Sequence, residues 1–184
     1  MKRIRLAFAV LLVLSCSLAI AEEAPASVKK LVPTIQSWGT NPVLVAAVKA
    51  QNAKGATLEQ IKTRDQAWQA TSGVDDSMKA LMHNDAAKEL GKLERTAPWY
   101  LELFLMDNKG ANVAMTNKTS DYWQGDEPKF TESYKDGAGA VHIGKVTFDA
   151  SAQAYLVQIS VPVMDGATAI GALTVGVNLD KLGK

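Results

Sequence analysis

Tyr155-Leu156-Val157-Gln158-Ile159-Ser160-Val161-Pro162-Val163 and Ala169-Ile170-Gly171-Ala172-Leu173-Thr174-Val175-Gly176-Val177-Asn178-Leu179 decide the fold. Both runs are dominated by β-branched and other apolar residues, which favour a pleated, half-buried surface over a helix. Asp165-Gly166 falls between them as turn punctuation. Gln158 and Ser160 are two apart, so they share one face of their strand. A third strand is expected over 141–148. Further upstream, Leu101-Glu102-Leu103-Phe104-Leu105-Met106 reads as another strand and 112–116 as its return. Asp107-Asn108-Lys109-Gly110 joins them as a tight hairpin turn, with glycine supplying a positive φ. Between the two groups of strands, residues 117–139 are polar and aromatic, with a short helix expected over 128–134.

Before Trp99 the periodicity changes to helical. Val28, Leu31, Val32 and Ile35 recur at helical spacing, with Pro33 tolerable near a first turn. Asn41-Pro42 is a start signal, an N-cap followed by proline at the first helical position. It opens an apolar helix reaching about Asn52, and Gly55 ends it. Thr57 with Gln60 forms a capping box for the next helix, which carries Leu58, Ile61, Ala67 and Trp68. Asp85 is the expected cap of a further helix with Ala86, Leu90 and Leu93, stopped by Pro98. Helices first and strands second imply an α+β fold with a five-stranded antiparallel sheet. The helices are expected on one face, and the 119–134 segment is expected to arch over the other. Such an arch makes a concave site suited to small molecules. Trp38 and Trp68 are expected between helices and sheet.

The N-terminus has the three parts of a secretory signal: Lys2, Arg3 and Arg5, then an apolar run over 6–14, then Ala19-Ile20-Ala21 before Glu22. The run is too short for a spanning helix, which needs about 20 residues. A cleavable signal over 1–21 and a periplasmic protein are expected. Val13-Leu14-Ser15-Cys16 offers the alternative of a lipoprotein held at a membrane surface through Cys16. Removing the first 21 of 184 residues leaves 163, with 17 basic against 19 acidic side chains. One folded domain is expected over 22–184, helical over 22–98 and sheet-forming over 99–184. Nothing in this charge balance suggests a nucleic-acid surface. Cys16 is the only cysteine, so cleavage leaves no disulfide, thiol nucleophile or thiolate ligand.

Enzymatic and cofactor readings find no support. His83 and His142 are far apart, and neither a metalloprotease H-E-x-x-H nor a G-x-S-x-G elbow is present. Gly137-Ala138-Gly139 with Gly144 has the wrong spacing for a dinucleotide site. Asp75-Asp76 and Asp126-Glu127 supply too few oxygens for calcium.

Four stretches resemble the extracytoplasmic PAS-like sensor domains called Cache or PDC domains. They are residues 41–48 with Gln51-Asn52, the hairpin over 104–110, the segment Thr119-Ser120-Asp121-Tyr122-Trp123-Gln124-Gly125-Asp126-Glu127, and the terminal pair Val161-Pro162-Val163 with 170–175. The resemblance implies a small-molecule sensor whose ligand lies between a PAS-like five-stranded sheet and a covering loop. Most such domains are tethered to a kinase, chemoreceptor or cyclase. This chain shows no second apolar helix, so the resemblance implies a freestanding module that feeds a separate membrane receptor or kinase. The arginine that precedes a Trp-Tyr pair in amino-acid-binding relatives is missing.

Asp121, Tyr122, Trp123, Asp126 and Phe130 are the first ligand-binding candidates. Aromatic faces with carboxylates suit a cation, and a small amine fits that chemistry. His142 and Tyr155 are added as strand residues able to face the same pocket. Each has a plainer reading: Trp123 and Phe130 as core, Asp121 as a turn cap, His142 as a satisfied strand residue. The alternative function is an accessory protein-interaction subunit with the same fold and no working pocket.

Overall fold

Side chains that accept otherwise unpaired N–H groups fix where the helices begin. The structure, a computed structural model, describes residues 23–149 and 153–183. The expected export signal over 1–21, with Cys16, lies outside them. Helices α1 (Ala26–Lys29) and α2 (Val32–Trp38) are short. Asn41 Oδ1 accepts the Val43 N–H at 2.9 Å and starts α3 (Pro42–Ala53). The capping box of α4 (Leu58–Ala70) is complete: Thr57 Oγ1 accepts the Gln60 N–H at 3.2 Å and Gln60 Oε1 accepts the Thr57 N–H at 2.8 Å.

Two helical features differ from the sequence reading. A further helix, α5 (Asp76–His83), is capped by Asp75, which accepts the Met78 N–H at 2.8 Å. That bond and the Ser77 hydroxyl hold the Asp75 carboxyl below the ordinary carboxylate range. The cap of α6 (Asp85–Glu94) is Asn84 rather than Asp85, with Asn84 Oδ1 accepting the Ala87 N–H at 2.8 Å. Asp85 sits one residue later and pairs with Lys88 at 2.7 Å.

The sheet comprises β1 (Tyr100–Met106), β2 (Asn112–Met115), β3 (His142–Ile143), β4 (Thr147–Asp149), β5 (Ala154–Asp165) and β6 (Thr168–Asn178). The order is β2-β1-β6-β5, and β3 and β4 share the outer edge of β5. Every pairing is antiparallel. The sheet therefore has five positions, and the strand expected over 141–148 is broken in two. His142 and Ile143 face Ser160 and Ile159, whereas Thr147 and Phe148 face Leu156 and Tyr155. The register slips by one residue between them, as a bulge on an edge strand requires. Helix α7 (Pro128–Tyr134) lies between β2 and β3, and α8 (Leu179–Leu182) follows β6.

Strand alternation divides the core into two layers. Leu103, Leu105, Val157, Ile159, Leu173, Val175 and Val177 face one side and bury Ile35, Trp38, Leu44, Val48 and Leu90 from the helices. Phe104, Met106, Met115 and Ala172 face the other side. There they meet Tyr122 and Phe130 from the segment over 117–139, called the strap below. They also meet Ile61 and Trp68 of α4 and Met78 of α5, so α4 packs with the strap and not with the other long helices. No helix among the described residues is long and apolar enough to cross a membrane.

Candidate functional site

The strap is fastened on two sides. Its first residues run beside the β1–β2 hairpin, where Asn112 N–H donates to Tyr122 O at 2.9 Å and Gln124 N–H donates to Gly110 O at 2.8 Å. Gly110 has φ +82°, and a Cβ there would overlap the backbone of Gly125. Both the positive φ and the close approach exclude a side chain. Helix α4 holds the opposite side. Asp65 Oδ1 accepts the N–H groups of Tyr122 at 2.7 Å and Trp123 at 3.0 Å. Trp68 Nε1 donates to Thr119 O at 2.9 Å, and Arg64 Nη1 donates to the Tyr122 hydroxyl at 3.1 Å. Lys118 Nζ donates to Thr71 O at 3.0 Å and Gly73 O at 2.8 Å, just beyond the end of α4.

Between strap and sheet lies a cavity of about 260 Å³. Its floor is Glu102 and Phe104 of β1 with Gln158 of β5. Its roof is Lys118, Thr119, Ser120, Gln124 and Lys129, and Asp149 closes one side. Gly176 lies on β6 between β1 and β5, opposite Gln158. A Cβ there would come within 2.6 Å of Glu102 Cγ. The missing side chain lets Glu102 lie across β6 and accept from Gln158 Nε2 at 3.0 Å. Lys129 Nζ is 5.4 Å from the Phe104 ring centroid and pairs with Glu127 at 3.1 Å.

A second depression, about 460 Å³, lies outside the strap. Lys62, Asp65, Gln66 and Gln69 of α4 form one wall, and Asp121, Trp123, Asp126 and Glu127 form the other.

The structure brings Asp121, Trp123 and Asp126 together in this outer groove and not beneath the strap. Tyr122 is 2% exposed and packs on Trp68 with ring centroids 5.7 Å apart. Burial pushes its phenol above the ordinary range, with Arg64 opposing. Phe130 is buried and stacks on Tyr134 at 5.2 Å. The expected cation cage is therefore corrected in one respect: the chain supplies its own cations. Arg64 lies 4.1 Å from the Tyr122 centroid and Lys62 Nζ 4.5 Å from that of Trp123.

His142 is half-buried opposite Ser160 and so lies on the strap-side face, outside the lining of the cavity. Tyr155 is not brought to the site. It is three residues from Gln158, which places it on the opposite face. It is 52% exposed, with its ring 5.3 Å from Phe148.

Glu102, Gln124 and Lys129 were missing from the sequence-level candidates. One signal was available: Glu102 is a charge inside an otherwise apolar strand, in phase with Phe104.

The observed architecture has the parts that the sequence resemblance implied: five antiparallel sheet positions, a long helix on one face and a strap over the other. The fold is α+β, an antiparallel sheet with helices on one face and the strap on the other. No protein-family profile matches the chain, and no curated protein matches it. Solved structures do. The sensor domain of the V. cholerae histidine kinase DctB is 17% identical, covering 85% of this chain and 51% of that one, with a TM-score of 0.48. The sensory domain of the Campylobacter jejuni chemoreceptor Tlp3 is 13% identical over 86% of this chain and 66% of that one, TM-score 0.41. The ligand-binding domain of the Pseudomonas aeruginosa PAO1 amino acid chemoreceptor PctC, in complex with GABA, is 10% identical over 84% and 63%, TM-score 0.38. The chain thus spans about half the length of the DctB sensor domain it matches.

Proposed function

We propose that this protein is an extracytoplasmic sensor module. It holds a small metabolite between its sheet and the strap and passes the bound state to a separate signalling partner, a membrane receptor or kinase. The observation that carries this reading is the cavity beneath the strap. Its walls present Glu102, Lys129, Gln124 and Gln158, where a space between sheet and cover would ordinarily be closed by apolar side chains. Glu102, Gln158 and Lys129 already have protein partners but keep hydrogen-bonding capacity beyond them, which a polar ligand can engage. At about 260 Å³ the cavity falls just below the usual range for drug-sized molecules, so it suits a small one. The export signal read over 1–21 supports a role outside the cytoplasm.

Asp121, Trp123 and Asp126 form the outer wall in this reading. Tyr122 and Phe130 anchor the strap, and His142 flanks the cavity. Tyr155 takes no part.

Thermal unfolding in the presence of small amines, amino acids and short organic acids tests the reading, because a ligand that binds only the folded state raises apparent stability. A stabilising compound is expected, and Lys129→Met or Gln124→Leu should weaken it at least about tenfold. A stabilising compound lost on Trp123→Ala but untouched by both cavity variants would move the site to the outer groove. The absence of any stabilising compound at millimolar concentration would support an accessory interaction subunit instead.

A further inference from the structure

The two most exposed large apolar side chains among the described residues touch each other. Phe148 is 54% and Tyr155 52% exposed, they are cross-strand partners on β4 and β5, and their ring centroids are 5.3 Å apart. The helices that bury Val157, Ile159 and Val161 on this face of the sheet leave the pair open. The pair continues into a depression of about 270 Å³ lined by Pro25, Val146, Tyr155, Leu179 and Asp180. Single exposed apolar residues need no explanation, but a contiguous patch marks a surface that meets a partner or a membrane.

Two further observations say what covers it. Pro25 caps the first helix and Leu179 opens the last, so the two ends of the described chain meet at this patch. Cys16 is nine residues before Pro25. Nine residues reach at most about 30 Å when extended, so an anchor on Cys16 keeps this end of the molecule at the membrane. The second observation is charge. Lys29, Lys30, Lys145 and Lys181 are exposed on the segments that supply the patch, and Asp180 is the one carboxylate in the depression. Lysines around aromatic side chains suit an anionic lipid surface, where the cations meet head groups and the rings enter the interface.

We propose that this patch is the membrane-facing surface of the protein, seated on anionic lipid by an acyl anchor at Cys16. Of the two readings of the N-terminus, the one that retains Cys16 gives the patch its occupant. The anchor forms when the Cys16 sulfur displaces the head group of a membrane phospholipid. An Sγ–C thioether bond to the glyceryl carbon forms, the bond from that carbon to the phosphate oxygen breaks, and the phosphate leaves with the thiol proton. The anchor sets the distance to the membrane and the patch sets the orientation. The strap and its cavity lie over the other face of the sheet, so failure of the ligand reading leaves this surface untouched.

The test uses the full chain, exported by a bacterium, purified with its own N-terminus and reconstituted on phosphatidylethanolamine–phosphatidylglycerol vesicles. Mass spectrometry should find a chain that begins at Cys16 and carries a thioether-linked diacylglyceryl group. Acylated Cys16 has no free thiol, so a single introduced cysteine takes a fluorophore specifically. Brominated lipid should quench a label at Phe148→Cys at least about fivefold more than one at Glu59→Cys, on the exposed side of α4 across the sheet. A label at Lys181→Cys should also be quenched, and should lose more than about half of that quenching when Phe148→Ser and Tyr155→Ser are combined. Both replaced side chains are exposed, and an unchanged thermal midpoint verifies that the fold is intact. A chain that begins at Glu22 overturns the proposal, as does equal quenching at Phe148→Cys and Glu59→Cys. Quenching at Lys181→Cys that survives the double substitution overturns the role of the aromatic pair. An emission shift at Phe148→Cys that grows with protein concentration in the absence of lipid would put a second copy on the patch and overturns the proposal equally.

Discussion

The Asp65 carboxylate accepts the Tyr122 N–H at 2.7 Å and, through the same oxygen, the Trp123 N–H at 3.0 Å. One side chain of α4 thereby fixes the part of the strap that separates the inner cavity from the outer groove. Asp65→Ala leaves two largely buried N–H groups unmatched. Charge-assisted bonds of this kind are worth about 1.5–3 kcal/mol each. A loss of about 3 kcal/mol in urea unfolding is expected, with Asp65→Asn losing roughly half as much. Amide hydrogen exchange at Tyr122 and Trp123 should rise more than at Val175, in the centre of β6. Equal acceleration everywhere would show that Asp65 supports the whole fold and not the strap.

Gly110→Ala should be among the most damaging single-methyl additions in the chain. It combines φ +82° with an overlap against Gly125. Strain of about 1–3 kcal/mol for the backbone alone is expected, and the overlap adds to it. The equilibrium midpoint in urea reports the sum. An unchanged midpoint would mean that the hairpin and strap are not in contact as described.

Tyr122→Phe removes the hydroxyl that accepts from Arg64 at 3.1 Å but keeps the packing on Trp68. A cost near 1 kcal/mol is expected. Ligand affinity should stay within about twofold, because Tyr122 is an anchor. A tenfold loss of affinity without loss of stability would return Tyr122 to the binding surface.

Asp107 is 4% exposed, and burial pushes its carboxyl above the ordinary value of 3.8, against the opposing N–H groups of Lys109 and Ala111. The unfolded chain therefore releases this proton at lower pH than the folded one. The contribution of Asp107 to stability is fully present below pH 3.8 and is lost as pH rises through the raised value. Asp107→Asn keeps an oxygen for the N–H groups of Lys109 and Ala111, at 2.8 and 3.0 Å, but cannot ionise. Its unfolding free energy relative to wild type should increase from pH 3 upward and then level off. A difference that narrows over the same range contradicts the direction of the shift.

Local signals carried much of the fold. The capping box at Thr57 and Gln60, the Asn41-Pro42 start and the short helix over 128–134 each depend on neighbours a few residues away, and the sequence displays them. Helix α5 escaped because it is only eight residues long, with Met78 its one buried side chain. The break between β3 and β4 escaped because a one-residue slip appears only once the strand is paired with β5.

The site was less legible for the same reason. Glu102 and Gln158 are 56 residues apart and meet only across Gly176. The segment over 119–134 arches over the sheet as expected, but the side to which its candidate residues turn differs. Asp121, Trp123 and Asp126 face away from the sheet, while Gln124 and Lys129 between and beyond them face inward. Arg64, Asp65 and Trp68 look like ordinary helix positions until the strap arrives from more than 50 residues away.

A crystal structure with the most stabilising small molecule bound is the most direct test. The molecule should lie beneath the strap, between Glu102 and Lys129. Finding it instead against Trp123 and Asp126, with the space under the strap closed by protein side chains, would contradict the account.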